Sequence, residues 1–120
     1  RSAEVERQRA LLDQAVAQYQ EAAINALADV DNALIQETRQ REAVESFQRQ
    51  LDLAEQSLKR LFAGYRNGSV DYLAILDAQQ STSQLRRNLV NAQQQLVGFR
   101  IALYRALSGS IPQLTAAEQS

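Results

Sequence analysis

The stretch Gly64-Tyr65-Arg66-Asn67-Gly68-Ser69-Val70-Asp71-Tyr72-Leu73-Ala74-Ile75-Leu76-Asp77-Ala78-Gln79 decides how this chain folds. It is the one clear break in a sequence that otherwise reads as helix. Asn67 and Gly68 tolerate a positive φ, so either can end a helix. Ser69 can cap a second helix, and Asp71 suits that helix's first turn, where a carboxylate meets the positive end of the dipole. Two long helices joined by so few residues run antiparallel. The break is therefore expected to be the tip of a hairpin.

Working upstream from the tip, heptad positions a and d fall without a skip on Tyr65, Leu61, Leu58, Ala54, Leu51, Phe47, Val44, Gln40, Glu37, Ala33, Val30, Ala26, Ala23, Tyr19, Val16 and Leu12. Only Glu37 and Gln40 depart from an apolar or Tyr seam. A repeat of 3.5 residues sustained this long marks a coiled coil rather than a short amphipathic helix. Downstream, the same spacing carries Ile75, Ala78, Thr82, Leu85, Leu89, Ala92, Leu96, Phe99, Leu103 and Ala106, with Thr82 the polar exception. Gly109 then offers a left-handed stop, and Pro112 opposes continuation.

The expected fold is all-α: a long antiparallel coiled-coil helical hairpin, with helices over about 4–65 and 70–108 and a turn at 66–69. Residues 1–109 form the hairpin and 110–120 a loose C-terminal tail. The arms are unequal. At equal rise per residue, the second helix covers the first back to about Ala26, leaving roughly the first 25 residues with an unpaired seam. That seam, at Leu12, Val16, Tyr19 and Ala23, is expected to drive self-association or to leave the N-terminal arm frayed. In addition, Leu11, Ile24, Leu27, Leu34, Ile35 and Leu53 lie off the seam, where a simple two-helix hairpin would be polar. The first helix is thus expected to touch more than one partner.

Composition agrees with helix and excludes much else. The 120 residues include one Pro, four Gly and no Cys, Met, Trp or His, while Ala, Leu, Gln, Glu and Arg lose little rotamer freedom in a helix. A formal net charge of −1 without a basic cluster is not the footprint of a nucleic-acid partner. Without Cys there are no disulfides and no thiol or soft metal chemistry. No run of about 20 apolar residues is present to cross a bilayer as a helix. The chain starts at Arg1 without a signal-peptide pattern, and we expect it to be a segment of a longer protein.

An enzyme is not indicated. His, Cys and a phosphate-binding Gly-rich loop are all missing, and the carboxylates sit among Arg and Gln on polar faces. Asp29 and Asp31, two apart, point to different sides of their helix. No cofactor is implied. A membrane-surface helix is not indicated either, because basic and acidic residues are mixed around the polar face.

The tip segment, from Ala63-Gly64-Tyr65-Arg66-Asn67-Gly68-Ser69 to Tyr72-Leu73-Ala74-Ile75-Leu76-Asp77-Ala78-Gln79, resembles the signature of the TolC-like outer membrane efflux protein family. The upstream segment from Gln18 to Leu34 is similar to the family's usual start of this long helix, and Leu103-Tyr104-Arg105-Ala106-Leu107-Ser108-Gly109 to its close. The resemblance implies the second periplasmic hairpin of a trimeric outer-membrane channel of a Gram-negative bacterium. This hairpin would be part of the tunnel wall, with a tip that docks onto the periplasmic adaptor (membrane fusion) protein of a tripartite pump. Arg66, Asn67, Gly68 and Ser69 would form the docking tip, and Tyr65 and Asp77 would stand near the channel entrance. Some relatives carry a closing Arg two residues after the tip Gly. Here that position is Val70, so a latch of that kind is not expected. The alternative is a free-standing coiled-coil hairpin used as a scaffold or tether.

Overall fold

The computed structural model describes residues 1–119, excepting the side chains at 113, 114 and 116–119. Helix α1 runs unbroken over Ser2–Arg66 and helix α2 over Tyr72–Gln119. No strand occurs among the described residues. The length of α1 follows from its sequence, which holds no Pro and no Gly before Gly64. The chain divides into two compact units, residues 37–99 and residues 1–36 with 100–120.

In the first of these units the chain turns back, and α1 and α2 pair antiparallel. Ile75 is its one fully buried side chain, and Leu51, Leu89, Ala92 and Leu96 are buried with it. The polar seam positions are satisfied rather than excluded. Thr82, buried, donates its hydroxyl to the Ala78 carbonyl at 2.7 Å, a bond back along its own helix. Gln40 reaches across, its Nε2 donating to the Ala92 carbonyl at 3.0 Å and to Gln95 Oε1 at 3.2 Å. Glu37 is buried, with an Arg41 nitrogen at 4.0 Å. A polar side chain that must find a partner across a seam fixes the alignment of the two helices. Arg86 Nη2 and Glu55 Oε1, 3.2 Å apart, cross the helices on the exposed flank, where such a pair contributes about 1 kcal/mol or less.

In the other unit, Ala23 and Ala33 are buried on α1, and Ser110 is buried on α2. Small residues set the approach: Ala22 and Ala26 face Ala106 and Gly109 across a shallow hollow. Pairing therefore reaches beyond Ala26, the limit set by a second helix ending near 108. Toward the N-terminus the seam does run out. Residues 1–14 are all exposed, as is Tyr19, and Val16 is half-buried. The off-seam residues Leu11, Ile24, Leu27, Leu34, Ile35 and Leu53 are exposed as well.

The helix stop expected at Gly109 is not used. Gly109 does not have a positive φ, Pro112 lies inside α2, and the backbone from Ser110 to Gln119 is helical. Ser120 lies outside the described residues. Proline removes one backbone donor and crowds the carbonyl four residues back. On either side of Pro112, hydroxyls bond back along the helix: Ser110 Oγ donates to the Leu107 carbonyl at 2.9 Å and Thr115 Oγ1 to the Ile111 carbonyl at 2.9 Å. Ser110 packs beside α1, while Ile111, Pro112 and Thr115 beyond it are exposed.

Candidate functional site

The turn between α1 and α2 is tightly determined by a short sequence. Gly68, at φ 84°, is the sole positive-φ residue among those described. The Ser69 N–H donates to the Gly64 carbonyl at 2.9 Å, and the Gly68 N–H to the Tyr65 carbonyl at 3.1 Å. That pair of bonds is the Schellman pattern, in which a left-handed residue just past the helix lets two N–H groups satisfy the last carbonyls. The Val70 N–H also points to the Gly64 carbonyl, at 3.2 Å.

Side chains reinforce the pattern. Asn67 Oδ1 accepts from the Ser69 N–H at 3.0 Å and from the Ser69 hydroxyl at 2.7 Å, and that hydroxyl also lies 3.2 Å from the Gly64 carbonyl. Ser69 thus closes the end of α1. It does not cap α2, which starts later than expected, at Tyr72. Asp71 stands just before α2, where a carboxylate favours the dipole, and its carbonyl accepts from the Ala74 N–H at 3.1 Å.

The tip has a third fastening that sequence reasoning missed. A Cβ placed on Gly64 would collide with Val70 Cγ2 and would lie 3.2 Å from Val70 Cβ and 3.3 Å from Ser69 Oγ. Val70, half-buried, therefore folds down onto the last turn of α1 in the space that Gly64 leaves open. The available signal was Gly64 itself. A glycine inside a helix costs about 1 kcal/mol against alanine, so it calls for a packing reason.

Gly68 needs its conformation and not its space, since nothing approaches its would-be Cβ. Gly68→Ala is expected to destabilise the hairpin by about 1–2 kcal/mol, the cost of a left-handed alanine. Gly68→Asn should lose less, because Asn tolerates that region. Thermal melts of the two variants followed by circular dichroism check this order.

The sequence-derived site residues fall into two groups. Arg66 ends α1, and Asn67, Gly68 and Ser69 form the turn, all of them exposed. Tyr65, on the last seam position of α1, packs against Tyr72 as a tilted pair, with ring centroids 5.6 Å apart at 47°. Both rings stay about half exposed, at 46% and 52%. Asp77 is not drawn into this cluster. It lies farther along α2, exposed beside Leu73 and Leu76, and makes no hydrogen bond or ion pair among the described residues. The arrangement offers backbone carbonyls, amides, two phenols and one guanidinium on a fixed frame, a surface suited to contact.

Comparison with known proteins adds three findings. The family model described as "Outer membrane efflux protein" matches residues 1–109. The chain is 32% identical, over 96 residues, to the cation efflux system protein CusC of Escherichia coli strain K12, which covers 80% of this chain and 21% of that protein. It is 31% identical over 72 residues to nodulation protein T of Rhizobium leguminosarum bv. trifolii, covering 60% of this chain and 15% of that protein. The chain thus spans about a fifth or less of the length of these relatives. No solved structure is a significant match.

Proposed function

From the premise that this chain belongs to the outer membrane efflux protein family, we propose that it is a wall element of an outer-membrane efflux or secretion channel. It works in the periplasm as a non-enzymatic hairpin within a trimeric parent, and its tip docks onto the adaptor protein of a tripartite pump. The observation that carries this reading is the construction of the tip. A turn whose only task is to reverse the chain needs a left-handed glycine. This one adds the Asn67–Ser69 bonds, the Gly64–Val70 approach and the Tyr65–Tyr72 pair. Binding gains when the contacting groups are held in place beforehand, because less freedom is lost on association.

The unpaired N-terminal seam and the exposed off-seam apolar residues support the wall reading, since a hairpin among other helices has partners on several sides. The two relatives are named for different roles, cation efflux and nodulation, so the cargo is left open. Tyr65 and Asp77 are proposed to stand near the entrance, on opposite sides of the turn.

Docking is tested at Arg66, which is exposed and makes no bond within the tip. In the parent channel, Arg66→Cys carrying a photoreactive cross-linker is expected to capture the adaptor. The same probe on Gln93, far along α2, should not. Equal capture from both positions, or none from Arg66, would sink the docking assignment.

A further inference from the structure

Gly68 directly follows Asn67, and that order of residues carries a chemistry of its own. The chain holds five Asn, at Asn25, Asn32, Asn67, Asn88 and Asn91, and only Asn67 precedes a glycine. The other four lie inside α1 or α2 and are followed by Ala26, Ala33, Leu89 and Ala92, whereas Asn67 is exposed in the turn. Asparagine is among the thermolabile side chains, because the nitrogen of the next peptide can attack its Cγ. A glycine in that next position has no Cβ to obstruct the approach. The surroundings of Gly68 are open as well, with nothing within 4 Å of where its Cβ would stand.

The closed turn works against that attack. The Asn67 N–H continues the helical ladder to the Ala63 carbonyl at 3.2 Å, and the Gly68 N–H donates to the Tyr65 carbonyl at 3.1 Å. A peptide nitrogen must lose its proton before it attacks, and here the proton is held against a carbonyl that is too weak a base to take it. The side chain is held too. Asn67 Oδ1 accepts from the Ser69 N–H at 3.0 Å and from the Ser69 hydroxyl at 2.7 Å. Ring closure removes the proton from the first bond and swings the Asn67 side chain out of the other two, so it requires the tip to open. Local opening of this kind is least costly at an exposed chain reversal with few buried contacts.

We propose that Asn67 is a site of spontaneous deamidation, restrained by the closed turn and released each time the tip opens. The Gly68 nitrogen gives its proton to solvent and bonds to Asn67 Cγ. The Cγ–Nδ2 bond breaks, and the nitrogen leaves as ammonia with a proton returned from solvent. The product is a succinimide spanning the two residues. Water then cleaves one of its two C–N bonds. Cleavage at Cγ gives aspartate, and cleavage at the main-chain carbonyl gives isoaspartate. One water is consumed, one ammonia is released, and nothing is oxidised or reduced. Either product changes the tip. A carboxylate at position 67 meets the negative end of the α1 dipole. Isoaspartate also lengthens the main chain by one carbon, which disrupts the Gly68 and Ser69 N–H bonds that close α1. The chemistry does not depend on the docking reading above.

The test incubates the intact parent channel, native and in denaturant, in mildly alkaline buffer made with oxygen-18 water. Digestion in ordinary water and mass spectrometry then follow the tryptic fragment 67–86, whose only Asn is Asn67. Heavy oxygen in the new carboxylate marks conversion during the incubation. Conversion is expected in both states, about tenfold or more slower in the native channel, where several bonds must open first. Ser69→Ala removes the hydroxyl bond to Asn67 and should raise the native rate about fivefold while leaving the denatured rate unchanged. Should that variant fail to fold, the wild-type comparison of native and denatured rates still decides the matter. Equal rates in the two states would mean that the turn imposes no restraint. A native channel that never converts while the denatured chain does would mean that the tip does not open. A native S69A rate equal to or below the wild-type rate would mean that the Ser69 bonds do not protect Asn67. Each of these three results overturns the proposal, and none bears on docking, which cross-linking from Arg66 tests separately.

Discussion

Ile75→Ala is expected to destabilise the hairpin by about 2–5 kcal/mol, the range for truncating a buried aliphatic side chain that leaves a cavity. Ile75 has 0% exposure, and no other described side chain is fully buried. The reason is its position. Along most of a two-helix seam each side chain is covered by one facing helix and keeps a flank open to water. Ile75 lies one turn into α2, next to the chain reversal, and keeps no flank open to water. Removing its methylenes therefore leaves a hole that few neighbours can collapse to fill, while Ile75→Val should cost only about 0.5–1.5 kcal/mol. Leu73→Ala is the matched control. Leu73 is 63% exposed, two residues away, and its truncation should shift stability by no more than about 0.5 kcal/mol in the 120-residue chain. Urea unfolding by circular dichroism measures all three. Equal losses from Ile75→Ala and Leu73→Ala would show that burial does not set the difference between these positions.

The burial of Ile75 was legible in the heptad pattern, and so was most of the pairing. Every a and d position from Ala23 to Leu61 and from Ile75 to Ala106 is buried or half-buried. Periodicity succeeds here because position around a helix is fixed by residue number alone. It fails where two local rules compete with packing. Gly109 and Pro112 are stop signals by local propensity, yet Gly109 lies in the small-residue approach to Ala22 and Ala26, and Ser110 is buried beside it. Contact at Gly109 and Ser110 outweighs the first of these signals, whereas Pro112 is itself exposed. At the tip, the sequence identified the turn and the candidate residues Arg66, Asn67, Gly68 and Ser69, but assigned Ser69 to the wrong helix. Capping rules say which residue types close a helix end, and they do not say which of two ends a turn residue will reach. Val70 was legible only as the absence of an arginine; that it packs onto Gly64 is a through-space contact that no local pattern announces.

That contact carries the second large effect. Gly64→Ala should gain helix propensity, worth about 1 kcal/mol in an open helix. At this site the added methyl collides with Val70 Cγ2 and crowds Ser69 Oγ, and overpacking typically costs about 1–3 kcal/mol. The crowding bears on the groups that close α1, because Ser69 and Val70 both direct their N–H to the Gly64 carbonyl. The collision is with a β-branched side chain whose χ1 is stiff, and its Cβ, which rotation about χ1 does not move, is crowded as well. We therefore expect Gly64→Ala to be net destabilising, and Gly64→Val more so. The cause can be isolated by a double-mutant cycle. Val70→Ala alone should cost little, because Val70 is only half-buried. Combined with Gly64→Ala it should recover most of the loss, giving a coupling of about 1 kcal/mol or more between residues in contact. The Tyr65–Tyr72 pair reports the same event locally, since a displaced turn pulls the rings apart and weakens the near-ultraviolet tyrosine signal. Recovery of stability and of that signal together in the double variant is the expected outcome. Additive losses would mean that Gly64 is required for some reason other than the room it leaves for Val70.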